Sequence, residues 1–487
     1  MSQQISALTY SIRFNTVGKY LGELFLALAM LTAVPLAVSL ISGEHAISLR
    51  YMIVLAALSG VGLLLSQLRP SRRIQTNEAM VIAALVFLFI PLLMTYPLMS
   101  AELDFLDAFF EAVSAGTTTG LSTIANIEGK TYPFLFSRAW MQWYGGLGII
   151  ILVLAILIKP GLAAKNLAVG GEHQEDDIAG NTKVNARWII YVYASLTSAG
   201  IAVLWLLGGD FSESILYTLS AVSTGGFSPH NTSLKGFDGR HLQWIVVLLC
   251  FASALPPALY HKAIYKNRRI FHDDPQLRAL LVLCLIFTVV LAALMLTEGQ
   301  DWSLAFYHAP LLAISAQTTA GFSTVDVAGL DAASKGALIC SMAIGGGIGS
   351  TAGGIKLLRL LILMRVLQVV IIKTCLPPHA ILNPRLGRRR LEDEEIKDAL
   401  CIILLFLVIV FISWLPFLTM GYDPLDSLFE VVSAMGTVGL STGVTTANLE
   451  WFLKMILCFD MLLGRLEMVV WIVLFYPKTW IGKRAEA

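Results

Sequence analysis

Four nine-residue segments share one pattern: SAGTTTGLS (114–122), SAVSTGGFS (220–228), SAQTTAGFS (315–323) and SAMGTVGLS (433–441). All obey S-A-x-x-T-x-G-[LF]-S and recur at roughly 100-residue intervals, which marks an internal repeat. Their chemical offer is threonine hydroxyls and main-chain carbonyls. The shared glycines, Gly120, Gly226, Gly321 and Gly439, allow backbone angles that turn successive carbonyls to one side. Carbonyls ringed about an axis can replace the hydration shell of a monovalent cation. The candidate ligands are therefore Thr118, Thr119 and Gly120; Thr224, Gly225 and Gly226; Thr319, Ala320 and Gly321; Thr437, Val438 and Gly439. One T-x-G alone would read as a glycine-capped helix end. Four copies with the same Ser-Ala lead are poorly explained that way.

The elements around them must hold irregular backbone inside a membrane. The 487-residue chain is 56% hydrophobic and 14% charged, with mean hydropathy +0.74, the balance of a polytopic helical membrane protein. Continuous apolar runs exclude a β-barrel. A net charge of +1 gives no basic signature for nucleic acid. Spans are expected near 20–42, 51–68, 78–99, 138–158, 188–208, 241–261, 279–297, 336–372, 398–420 and 452–477. The first is expected to be a retained span and not a signal peptide. Before each nonapeptide stands a run such as DFLDAFFEAV or DPLDSLFEVV, too short to cross but long enough for a three-turn re-entrant helix. The expected fold is all-α and polytopic: four helix–pore helix–filter–helix repeats around one pore. The expected divisions are 1–75 (two-helix extension), 76–165, 166–272, 273–385 and 386–487 (repeats one to four).

Lysine and arginine set the orientation. RPSRR (69–73), KNRR (266–269), Lys373, Arg385, Arg388, Arg389, Arg390, Lys478, Lys483 and Arg484 fall on one side, read as cytoplasmic, with both termini there. The opposite loops carry Glu102, Asp104, Asp107, Glu128, Asp210, Asp238, Asp301, Asp326, Asp423 and Asp426. Either these acids concentrate cations at an entrance, or they are ordinary polar loops.

Two features suit gates. GGGIGSTAGG (345–354) interrupts a long apolar run, and each glycine costs a helix about 1 kcal/mol. Gly345, Gly346, Gly347, Gly349, Gly353 and Gly354 are expected to form an intramembrane loop below the third filter segment; close helix packing is the alternative. No β-strand precedes it and no acid follows about 20 residues on, so it is no dinucleotide fingerprint. Arg465 lies deep in the last apolar run, where a charge costs from ~3 to ~10 kcal/mol. It either projects into the pathway as an electrostatic barrier or pairs with Asp460 or Glu467. Glu111 and Glu430 on the pore helices are either entrance charges or structural partners. Gly116 and Gly436 are expected to support the filter. Pro256-Pro257 predicts a kink or break in the sixth span.

The four-fold pattern, GGGIGSTAGGIK (345–356) and MLLGRLE (461–467) resemble the potassium transporter superfamily that includes Trk, Ktr and plant HKT proteins. The two extra N-terminal spans make the chain most similar to the TrkH/TrkG-type membrane subunits, over nearly its whole length. The resemblance implies potassium as transported ion and a homodimer with one pore per protomer. It also implies a TrkA-like, nucleotide-binding regulatory subunit in the cytoplasm, and gating roles for the glycine loop and Arg465. In that superfamily a serine at the first filter glycine accompanies sodium preference; Gly120 stands there, so potassium is favoured. The fourth segment's TVG matches a potassium-channel TVGYG only in part, because Leu440 and Ser441 follow. Fewer ordered carbonyl rings and looser discrimination are expected.

The leading expectation is a potassium uptake pore of the bacterial inner membrane, with no organic cofactor. The alternatives are a symporter coupled to protons or sodium through Asp460 and Glu467, or a weakly selective cation channel. An enzyme is not expected: there is no H-E-x-x-H or cysteine–histidine cluster, and His230 and His261 read as structural. The six cysteines read as small packing residues.

Overall fold

The computed structural model describes residues 11–69, 74–157, 178–257, 259–260, 274–377, 384–386 and 389–481, with side chains outside 149–157 and 178–187. Two long apolar helices, α1 (Phe14–Ile41) and α2 (His45–Ser66), form a hairpin ahead of the repeats. Each repeat then opens with a long helix: α3 (Thr76–Leu98), α6 (Ile178–Leu206), α9 (Pro275–Thr297) and α13 (Asp393–Thr419). Among the described residues these six elements contain the stretches long and apolar enough to cross a membrane. Asp274 and Pro275 show why one of them starts where it does. The carboxylate caps the N–H groups of Gln276 and Leu277, and proline takes the first helical position.

A short helix follows each long one: α4 (Phe105–Gly116), α7 (Phe211–Val222), α10 (Trp302–Gln317) and α14 (Pro424–Met435). At 12 residues, three of them are about 18 Å long, too short to cross. Each has aspartate at its N-cap: Asp104, Asp210, Asp301 and Asp423. Apart from the half-buried Ile314 of α10, their last turns are buried in protein, as membrane-depth chain ends require.

The closing helices of the repeats are α5 (Tyr132–Leu157), α8 (Arg240–Ser253), α11 (Ala332–Ala343) and α15 (Trp451–Arg465). Here the structure corrects three sequence-based spans. The expected 241–261 ends as a regular helix at Ser253. The expected 336–372 is α11, an irregular loop, then α12 (Leu357–Thr374). The expected 452–477 breaks at Leu466 (φ −98, ψ 86) before α16 (Met468–Phe475) and α17 (Pro477–Trp480). Arg465 is therefore the last residue of α15 and does not lie inside one continuous span. The expected 51–68 begins earlier, at His45, because Arg50 is accommodated: it donates to the Tyr96 carbonyl at 3.1 Å and stacks 5.2 Å from that ring's centroid. The only sheet among the described residues is the antiparallel pair β1 (Arg385–Leu386) and β2 (Arg389–Arg390).

Candidate functional site

All four pore helices end the same way. The N–H of Thr118, Thr224, Thr319 and Thr437 bonds to the carbonyl of Ala115, Ala221, Ala316 and Ala434 at 3.0–3.1 Å. The next N–H returns to the serine carbonyl of the Ser-Ala lead at 2.8–2.9 Å. The four threonines are then forced left-handed, with φ of 54°, 52°, 55° and 49°, and the glycines two residues on have φ of 92°, 79°, 71° and 92°. A β-branched residue at positive φ costs about 1–3 kcal/mol, so the same strain is stored four times.

The glycines also meet across repeats. A β-carbon on Gly120 would run into the Gly225 carbonyl, one on Gly226 into Ala320, one on Gly321 into Val438, and one on Gly439 into Thr119. These contacts run from repeat one to two, three, four and back to one. The four segments thus form a closed ring of carbonyls too tight for any side chain at the glycine. Beside it, the Thr118 and Thr437 hydroxyls are buried without a hydrogen-bond partner among the described residues. Such a ring can hold a desolvated monovalent cation with uncharged oxygens.

Buried pegs hold the segments after the glycine. Glu111 accepts from the Ser122 hydroxyl (2.6 Å) and the Thr123 N–H (3.0 Å). Glu430 does the same for Ser441 (2.6 Å) and Thr442 (2.9 Å) and adds Thr445 at 2.7 Å. Both are fully buried, so they are structural partners and not entrance charges. Repeat two uses Tyr217, whose hydroxyl lies 3.0 Å from that of Ser228; repeat three has Leu312 at this position, and its pore helix meets the segment through His308 instead, whose ring Nδ1 lies 2.8 Å from the Thr324 hydroxyl. Glu111 is balanced by Arg138 at 2.9 Å, which lies 3.8 Å from the Phe227 ring centroid in repeat two. Arg138→Leu would strand the carboxylate. It is expected to cost about 3–5 kcal/mol, measured as a large drop in the detergent-solubilised protein's melting temperature.

The outer acids are largely occupied. Asp210 and Asp423 cap their own helices. Asp107 pairs with Lys454 at 2.6 Å and Asp426 with Lys335 at 2.7 Å, each joining a pore helix to the preceding repeat around the ring. Glu128 lies 3.7 Å from His230, which is also 3.1 Å from Glu213. His230 is structural; His261 lies outside the described residues. The lysines were missed from sequence. Their signal was position: each sits at the same place in its helix, opposite an aspartate four residues before the pore-helix glutamate.

Under the ring, α8, α11 and α15 all stop at about the same register. Below α8, Pro256 and Pro257 supply no N–H to the carbonyls of Ala252 and Ser253. Those carbonyls accept instead from the Tyr260 hydroxyl (2.6 Å) and the Thr351 hydroxyl (3.2 Å), and Ala254 accepts from the Gly347 N–H at 3.1 Å. The proline pair thereby provides a dock for the glycine loop, a role its sequence alone did not suggest. The loop's stems pair as a parallel bridge between Ile344 and Ile355. Gly345 lies back to back with Gly353, Gly346 and Gly347 face Ala254 and Pro256, and Gly349 and Gly354 have φ of 78° and 64°. At the loop's top the Gly353 N–H donates to the Thr319 hydroxyl at 2.8 Å, and a β-carbon there would strike the Thr437 hydroxyl and the Gly436 carbonyl. Of the two glycines expected to support the filter, Gly436 thus faces the loop, while the Gly116 carbonyl is where a β-carbon on Gly145 would collide.

Arg465 ties the loop to the first repeat. Its guanidinium donates to the Thr351 carbonyl at 2.5 Å and the Gly145 carbonyl at 3.2 Å. Neither nearby acid is its partner: Asp460 accepts from Ser413 at 2.6 Å, and Glu467 pairs with Arg359 at 2.5 Å. Counted from each helix start, the residues matching Arg465 are Gly146, Ala254 and Gly346, so one long cation faces three small residues.

A bundle of long apolar helices enclosing re-entrant segments and a ring of carbonyls defines an integral membrane transport protein. The chain belongs to the TrkH family of cation transport proteins, whose model matches residues 43–481. It is 29% identical over 457 residues to an uncharacterized cation transporter of Methanocaldococcus jannaschii, covering 93% of this chain and 94% of that one. It is 27% identical over 476 residues to the Trk system potassium uptake protein TrkH of Halomonas elongata, covering 95% and 98%. The crystal structure of the potassium transporter TrkH from Vibrio parahaemolyticus superposes with a TM-score of 0.85 at 26% identity, covering 96% of this chain and all of that one.

Proposed function

We propose that the chain carries potassium into the cell across the bacterial inner membrane, through the carbonyl ring formed by its four nonapeptides. The closed circuit of glycine–carbonyl contacts is the observation that carries this reading. On this reading the units are 1–75, 76–165, 166–272, 273–385 and 386–487, and both termini are cytoplasmic. The 345–354 loop and Arg465 close the path below the ring. The protein works as a homodimer in the bilayer, gated by a TrkA-like nucleotide-binding subunit, as its relatives' membership of Trk systems suggests. An inward-negative potential contributes ~2.3 kcal/mol per 100 mV to each ion, enough to drive uptake.

Coupling to protons or sodium is kept as a second reading by one observation: Asp460 is fully buried, with one carboxylate oxygen lacking a hydrogen-bond partner among the described residues. The purified chain in liposomes separates the two. A pore gives potassium flux that reverses at the potassium equilibrium potential at every pH and sodium level. A reversal potential that moves with the proton or sodium gradient contradicts it. Gly353→Ala tests the loop: the added carbon meets backbone and should displace the loop, raising basal potassium flux about fivefold or more without the partner subunit. Unchanged flux would mean that the loop does not close the path.

A further inference from the structure

We propose that Gln142 is a positioning residue of the cation path: it pins one ring carbonyl and so sets how strictly the ring distinguishes potassium from sodium. This rests on reading the ring as a cation filter. Gln142 is fully buried on α5, in the first repeat, yet all its polar contacts are to the second nonapeptide. Its amide nitrogen donates to the Gly225 carbonyl at 2.5 Å. Its amide oxygen accepts from the Ser220 hydroxyl at 2.6 Å and the Phe227 N–H at 3.3 Å. One side chain thus clamps both ends of the strained segment.

The ring is unequal as a result. The Gly225 carbonyl is one of the four against which the glycines close. Among the described residues, its counterparts on Thr119, Ala320 and Val438 accept no side-chain hydrogen bond. Counted from each helix start, the residues matching Gln142 are Cys250, Met342 and Met461, all buried and none with an amide. The sequence carries a matching accommodation. Where the other repeats have Thr119, Val438 and Ala320, repeat two has a second glycine, and a β-carbon on Gly225 would overlap the Gln142 amide. Gly225 and Gln142 fit as a pair. A carbonyl has two lone pairs, so it can accept this bond and still face an ion, but its direction is fixed. A fixed oxygen resists collapsing onto a smaller cation, which favours potassium.

An amide is needed because the clamp donates at one end and accepts at the other. Gln142→Glu keeps the accepting end and sets an oxygen against the Gly225 carbonyl; Gln142→Met keeps the volume and removes both functions. The full chain is reconstituted in liposomes, and potassium-to-sodium permeability ratios are read from bi-ionic reversal potentials. Both variants are expected to lower the ratio about fivefold. Gln243→Glu is the control: this buried amide, in the first turn of α8, donates at 2.9 Å to the Phe237 carbonyl, outside the ring, and its ratio should not move. Gln142 variants that conduct with the unaltered ratio overturn the proposal, as does an equal fall in Gln243→Glu. Gly439→Ser, measured alongside, separates the two claims, because an unchanged ratio there sinks the filter reading itself. If neither Gln142 variant inserts, Ser220→Ala decides. It removes only the hydroxyl that orients the amide, and should lower the ratio about twofold; no change overturns the proposal.

Discussion

Replacing Arg465 with alanine is expected to raise potassium flux through the reconstituted chain at least tenfold. Two effects act in the same direction. The guanidinium's bonds to the Thr351 and Gly145 carbonyls disappear, each worth about 1.5–3 kcal/mol, so the glycine loop loses its tie to the first repeat. The positive charge also leaves the space below the ring. At an effective dielectric of ~20, a monovalent cation passing about 6 Å away is repelled by ~3 kcal/mol, equivalent to roughly a hundredfold in rate. Arg465→Lys keeps the charge but not the paired donors, so it should fall between the two. Isotope uptake into liposomes measures both. Flux that is unaltered, or lost in a folded protein, would assign Arg465 to structure alone.

Gly439→Ser should lower the potassium-to-sodium permeability ratio about tenfold. Gly439 has φ of 92°, and a β-carbon there would strike the Thr119 carbonyl while approaching the Gly120 backbone to 3.0 Å. All of these neighbours are main chain, so none can rotate aside. The serine must therefore push the adjoining repeat, widening the ring and misaligning a carbonyl. Reversal potentials in mixed salts read the change. A preserved ratio would show that selection happens elsewhere.

The fold class and the four segments were legible because their signals are local. A nonapeptide carries its own helix ending, left-handed threonine and glycine, so the pattern survives without any knowledge of packing. Arg465 and the glycine loop were legible as intrusions into apolar runs. What could not be read depends on contacts between distant repeats. The break at Leu466 falls within Gly464-Arg465-Leu466-Glu467, but the apolar run Met468–Phe475 beyond it made one continuous span the natural reading; the freed chain is steadied from afar by the Trp471 indole, which donates to the Leu462 carbonyl at 3.0 Å. Pro256 and Pro257 announced a break, but not that the emptied carbonyls would receive the loop. Gln142 carries no local signal, because its contacts exist only once the second repeat is folded against it. The outer acids misled in the opposite way: their sign suggested an open electrostatic funnel, yet Asp107 and Asp426 are spent on Lys454 and Lys335.

The central claim is that peptide oxygens from four repeats share one ion. Anomalous diffraction from crystals grown in rubidium, a heavy stand-in for potassium, tests it most directly. The account predicts a peak on the axis enclosed by the carbonyls of Thr119, Gly225, Ala320 and Val438, lost in Gly439→Ser. A rubidium peak away from that ring, in protein that still conducts, would contradict it.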